Sequence, residues 1–122
     1  MDTKTLAHEF TKLCQDGQFD EAGNRFWSEQ VVSLEPMEGE MARAQGRKAL
    51  EGKGQWWYAN HEIHSTSTEG PYVHGDQFAV RFNMDITPKT GDTAGQRIQM
   101  TEVGLYTVKD GKITEERFFY GG

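Results

Sequence analysis

Residues 78–87, FAVRFNMDIT, alternate without a break. Phe78, Val80, Phe82, Met84 and Ile86 fall on one side, and Arg81, Asn83 and Asp85 fall on the other. A period of two held this long marks a strand with one buried and one wet face. It commits the chain to a sheet whose apolar side must be covered. The segments able to cover it lie upstream. Leu6, Phe10, Leu13 and Cys14 recur at helical spacing, with Gly17 where a helix C-cap would sit, and Phe19, Ala22, Phe26 and Trp27 repeat the pattern over a shorter helix.

Between these helices and the alternating strand, VVSL (31–34) reads as a brief β-branched strand stopped by Pro36. A polar stretch, MEGEMARAQG, leads to a third helix over about 47–60 with the stripe Leu50, Gly54, Trp57 and Tyr58, and Trp56 about a quarter-turn away. Gly52 and Gly54 each cost such a helix about 1 kcal/mol relative to alanine. Residues 61–69, rich in Thr, Ser and Ile, begin the sheet. IQMTEVGLYTV and KITEERFFYG supply two more strands around Asp110-Gly111, the strongest hairpin signal in the chain. Helices first and strands after argue for an α+β fold, with the N-terminal helices packed on one face of a strongly curved antiparallel sheet. A curved sheet covered in this way makes a cone with an open mouth, a natural small-molecule pocket.

Composition excludes several classes. At 122 residues the chain forms one domain over 1–122, large enough for a core without staples. The net charge is −6, and the densest basic group, Arg43, Arg47, Lys48 and Lys53, is too sparse for a phosphate-binding stripe, so no nucleic acid is expected as a partner. No segment approaches the ~20 apolar residues of a membrane span, and the start, MDTKTLAHEF, lacks the pattern of a secretory signal. Cys14 is alone, which excludes an internal disulfide and fits a reducing cytoplasm.

Four pieces in order, "DGQFDEA", "VVSLEP", "QGRKALEGKGQWW" and "LYTVKDGKITEERFFY", resemble the SnoaL-like, polyketide-cyclase-type branch of the nuclear-transport-factor-2-like superfamily. The resemblance covers nearly the whole chain. It implies a conical α+β fold, commonly a homodimer through the outer sheet face, with a pocket between sheet and helices. It does not fix the chemistry, because the superfamily holds isomerases, cyclases, dehydratases, epoxide hydrolases and inactive members.

In the isomerases resembled here, an Asp-Pro pair ends the first strand and its aspartate shuttles protons. Glu35-Pro36 falls at the matching place, allowing one inserted residue, which makes Glu35 the candidate catalytic base. A solvated turn glutamate beside Glu38 and Glu40 is the alternative. The same analogy needs an oxyanion hole made from a tyrosine and a protonated acid. The tyrosine position matches Phe10, which cannot donate. The acid position falls near Gly104, with Glu102 and Tyr106 one pleat away on either side. That incomplete set argues against steroid-type isomerisation.

WWYANHEIHS (56–65) raises a metal question, because two histidines flank a glutamate. The HExxH motif needs its histidines four apart on a helix. His61 and His64 are three apart where helix gives way to strand, a spacing that sends their rings to opposite faces, so no metal or other cofactor is expected. His61 is placed at the pocket rim and His64 outward. His74, in the loop GPYVHGD, is expected to be solvent-exposed. Trp27, Trp56, Trp57 and Phe118 are expected as aromatic wall, with Met84 beside them. Glu102, Tyr106 and Glu116 are expected as polar contacts to a ligand. Glu116, if inward, needs a partner such as Tyr106 or His61, and Arg117 facing Asp85 or Glu102 across strands would be ordinary sheet pairing. Two functions remain open: an isomerase, cyclase or dehydratase working by proton transfer on a small apolar organic molecule, or a non-catalytic dimeric ligand-binding or assembly module.

Overall fold

A computed structural model describes residues 1–121. Among them, helices α1 (Thr3–Gln15) and α2 (Phe19–Phe26) precede strand β1 (Trp27–Leu34). A 3-10 turn (Glu40–Ala42), strand β2 (Arg43–Gln45) and helix α3 (Arg47–Asn60) follow. The chain then runs through β3 (His61–His74), β4 (Gln77–Pro88), β5 (Ile98–Lys109) and β6 (Lys112–Phe119). The strands form one curved, unclosed sheet in the order β2-β1-β6-β5-β4-β3. The α+β expectation holds, with one refinement. β1 pairs with β6 in parallel, so the sheet is mixed, while every other pairing is antiparallel.

Local chemistry sets the element ends. The Asp2 carboxylate accepts from the Thr5 amide at 2.7 Å and caps α1. At the other end Gly17 takes φ 79°, and the Gln18 and Gly17 amides return to the Leu13 and Cys14 carbonyls, closing the helix as its glycine foretold. Asp110 and Gly111 both adopt positive φ, 53° and 75°, the tight two-residue turn that joins β5 to β6.

The alternating strand largely behaves as its period dictates: Phe78, Val80, Phe82 and Ile86 are buried, the first three in one core with Leu6 and Phe10 of α1 and Ala22 and Phe26 of α2, while Met84 is half-buried. Phe10 of α1 packs on Phe78, Phe26 and Tyr106 at ring-centre distances of 5.7, 6.4 and 4.7 Å. Burial of these aromatic and aliphatic groups, at roughly 25 cal/mol per Å² of apolar area, is what holds helices to sheet.

Several boundaries differ from expectation. β1 begins at Trp27 rather than Val31, because Trp27 leaves the helix as its C-cap in extended backbone. Its ring lies over Gly23, where an added Cβ would sit 2.7 Å from the indole, so only glycine lets the tryptophan fold back. β3 runs on to His74, through a register shift between Glu69 and Tyr72, where the sequence had suggested a loop after residue 69. α3 spans the expected range, but of its expected stripe only Leu50 is buried. Trp56 is 52% exposed and Tyr58 40% exposed.

Candidate acid–base site

One strand's parity builds the site. In β1, Val31 and Ser33 are fully buried, and Glu35, two residues beyond Ser33, continues the same inward row just past the strand. The parallel pairing sets Ser33 beside Glu116 of β6. The next pairing sets Glu116 beside Tyr106 of β5 and Phe118 beside Gly104, and the one after sets Glu102 beside Phe82. Glu35, Ser33, Glu116, Phe118, Tyr106 and Glu102 therefore share the concave face.

Helix α3 adds the cation. Lys53 Nζ donates to Glu35 Oε1 at 2.7 Å and to Ser33 Oγ at 2.8 Å, and lies 5.6 Å from the centre of the Phe118 ring. Ser33 donates to Glu116 Oε2 at 2.8 Å, and Trp27 Nε1 donates to Glu116 Oε1 at 3.0 Å. Glu35 and Lys53 are sheltered without being sealed, with 15% and 22% of their side chains exposed. Trp27 is steadied by Arg47, whose guanidinium donates to the Trp27 and Asn24 carbonyls.

Three carboxylates around one ammonium leave negative charge in excess, and the protonation behaviour follows. Burial first, then the Glu35 and Glu116 charges, push Glu102 up from 4.5 to about 7, against the pull of Lys53. Burial also raises Glu116, a rise opposed by Ser33, Lys53 and Trp27. Burial and then the neighbouring Glu116 carry the Tyr106 phenol well above its ordinary range, so it stays a neutral hydroxyl. Tyr120 is raised too, by burial and then by Glu35.

Each expected residue now has a place. Glu35 faces the site and is ion-paired, which a solvated turn glutamate would not be. Glu102, Trp27 and Phe118 join it. Glu116 is there, but its partners are Ser33 and Trp27 rather than Tyr106 or His61, and it is only 7% exposed. Tyr106 stacks on Phe78 at 4.9 Å with 2% exposure, and its ring and hydroxyl lie over Gly104, where an added Cβ would be 2.8 Å away. The tyrosine thus fills the place the isomerase analogy assigns to an acid.

Other expected residues lie elsewhere. Met84 lines a concavity of about 270 Å³ over β3, β4 and β5 with Met100 and polar neighbours such as Asn83 and Gln99, away from the lysine and its acids. Trp56 is no interior wall. It lines a groove of about 250 Å³ between α3 and β2, together with Ala44, Ala49 and Gly52, and the stem of Lys53 forms part of that groove.

Trp57 stacks face to face on His61 at 3.7 Å, and His61 Nδ1 donates to the Trp57 carbonyl at 2.9 Å, so this histidine caps α3. His64 turns outward onto Thr87 Oγ1, and His74 is exposed at the end of β3. Among the described residues no three His, Cys, Asp or Glu side chains gather as a metal set. Arg117 is exposed beside Leu105 and Leu34 on the outer face and meets neither expected acid, because Glu102 points inward and Asp85 is bound by Arg97 at 2.8 Å.

Lys53 and Ser33 were not anticipated. A signal for each existed: Lys53 stands three residues after Leu50, on the helix face that meets the sheet, and Ser33 lies midway in the Val31–Glu35 row.

The SnoaL-like domain model matches residues 1–120. The chain belongs to the SnoaL-like family. A solved structure from Mesorhizobium loti, with the working name SnoaL-like polyketide cyclase and carbohydrate phosphatase beside it, is 52% identical. It has a TM-score of 0.93 over 98% of this SnoaL-like chain and 100% of that one. A cystatin-like-fold protein of unknown function from Xanthomonas campestris is 18% identical, with a TM-score of 0.75 over 100% of this chain and 92% of its own. A Bacillus subtilis structure with the working name isomerase is 15% identical, with a TM-score of 0.71 over 98% and 86%. The last two share the fold alone. No curated protein matches the SnoaL-like chain in sequence. Among its described residues no helix is long and apolar enough to cross a membrane.

Proposed function

We propose that this SnoaL-like domain binds a small, largely apolar organic molecule and moves a proton on it, as an isomerase, cyclase or dehydratase would. The observation that carries this reading is the meeting of two carboxylates in unlike environments with one ammonium. Glu35 is ion-paired with Lys53 at 2.7 Å, whereas Glu102, pushed up to about 7, keeps a proton available near neutrality. Glu35 removes a proton from carbon beside a carbonyl. The oxygen that becomes negative receives hydrogen bonds from the Glu102 carboxyl and from the Lys53 N–H that neither Glu35 nor Ser33 occupies. Return of the proton at another carbon completes an isomerisation. Trp27, Trp57, His61 and Phe118 flank the apolar part of the ligand, and Trp56 and Met84 stand apart from it. The Mesorhizobium loti protein's working name of polyketide cyclase agrees with this chemistry, while the carbohydrate phosphatase beside it does not. The working state is a cytoplasmic homodimer.

5-Nitrobenzisoxazole tests the base without knowledge of the natural substrate. Loss of its ring C–H proton to a carboxylate breaks the N–O bond and releases a coloured phenolate. The expected result is turnover that falls about a hundredfold in Glu35→Gln, the usual scale for a lost general base. Equal turnover in wild type and variant removes Glu35 from the role. The second reading, a dimeric ligand-binding or assembly module without catalysis, is favoured by Phe10. That ring lies 4.7 Å from Tyr106, in the position where a catalytic donor would be needed.

A further inference from the structure

We propose that Ser33 and Glu116 are positioning residues that fix the Lys53 ammonium beside Glu35; the catalytic consequence rests on the acid–base reading above. A lysine carries its charge on a flexible four-carbon stem, and Lys53 stands between two glycines, Gly52 and Gly54, that offer no side chain to restrain it. One carboxylate alone leaves such an ammonium free to pivot. A second anchor, Ser33 Oγ at 2.8 Å, removes that freedom.

The anchor is itself oriented. Ser33 is fully buried, and its hydroxyl hydrogen is committed to Glu116 Oε2, which turns an oxygen lone pair toward Lys53. Glu116 cannot swing away, because Trp27 Nε1 holds its other oxygen at 3.0 Å. The hydrogen bonds run Trp27–Glu116–Ser33–Lys53–Glu35 without a break, and the row joins β1, β6 and α3.

Other roles for the two residues are closed. Ser33 is fully buried and Glu116 is 7% exposed, so neither is placed to meet a substrate directly. What they leave open is one N–H of Lys53, with its direction fixed by two oxygens.

The experiment is NMR of the lysine side-chain ammonium groups in the full chain, with kinetics on 5-nitrobenzisoxazole beside it. Ammonium protons of solvated lysines exchange too fast to be seen, whereas one held by two oxygens is protected. The expected wild-type spectrum has a protected ammonium signal that disappears in Lys53→Arg. Ser33→Ala is expected to lose that signal and to lower kcat about tenfold with little change in KM. Glu116→Gln is a second variant for the case in which Ser33→Ala does not fold. Its amide donates to Ser33 Oγ in competition with Lys53, so the signal shifts and broadens, while Glu115→Gln on the outer face leaves it unchanged. No protected signal in the wild type, or an unchanged signal in folded Ser33→Ala and Glu116→Gln, overturns the proposal. A signal that responds as expected in a protein without turnover supports the positioning and rejects the acid–base reading, so the two can fail separately.

Discussion

Replacing Glu102 with glutamine should flatten the dependence of stability on pH. The carboxyl rises from 4.5 to about 7 on folding, first because it is buried and second because Glu35 and Glu116 repel its charge. A raised folded-state value means that the folded chain binds the proton more tightly than the unfolded one. The favourable contribution is therefore complete below about 4.5 and is lost as pH climbs through about 7. At about 1.4 kcal/mol per unit, the shift corresponds to roughly 3 kcal/mol lost across that window. For 122 residues this is a fall in Tm of about 12 °C. Glutamine mimics the protonated acid at every pH, so Glu102→Gln should run level with wild type near pH 4 and exceed it by about 3 kcal/mol near pH 9. The assay is urea unfolding of both proteins at closely spaced pH values. An imperfectly paired amide offsets the whole curve but leaves its slope alone. Parallel curves for the two proteins would refute the burial-and-repulsion account of Glu102.

Gly104→Ala should destabilise the fold by about 1–3 kcal/mol in the same assay, because the new methyl meets the Tyr106 ring at 2.8 Å and Phe10 and Phe78 prevent the ring from swinging clear. Cys14, 2% exposed and pushed up to about 12 by burial and Glu116, should react with a thiol reagent near neutral pH only as fast as the chain unfolds; rapid labelling of the native protein would contradict its packing.

What the sequence disclosed about the fold was whatever depends on near neighbours. The period of two in residues 78–87, the cap at Gly17 and the Asp110-Gly111 turn are local devices, and each stands where expected. The misses came where a distant contact overrides local preference. Trp27 sits in register with a helix, yet it starts a strand because Gly23 leaves room for its ring to fold back. Gly70 and Pro71 read as a break, yet the strand continues past them by shifting register against β4. Trp56 carried no mark to distinguish a buried tryptophan from an exposed one.

The site shows the same division more sharply. Glu35 could be found because a strand-ending Glu-Pro pair is a one-dimensional signal. Its chemistry could not, because that depends on which cation arrives from elsewhere, and Lys53 lies 18 residues downstream. The decisive step is the parallel pairing of β1 with β6, which joins Ser33 to Glu116 across 83 residues of chain and which no local pattern announces. An antiparallel pairing of the same two strands would reverse the order of neighbours along them. A parallel one sets Ser33 beside Glu116 and so brings a third acid to a site with a single ammonium. That excess of negative charge, together with burial, is what lifts Glu102 toward neutrality. The acid–base character of the concave face thus follows from strand order more than from any one residue. Neutralising Glu35 or Glu116 should therefore lower the titration of Glu102, most readily seen in the carboxyl carbon shift of labelled glutamate.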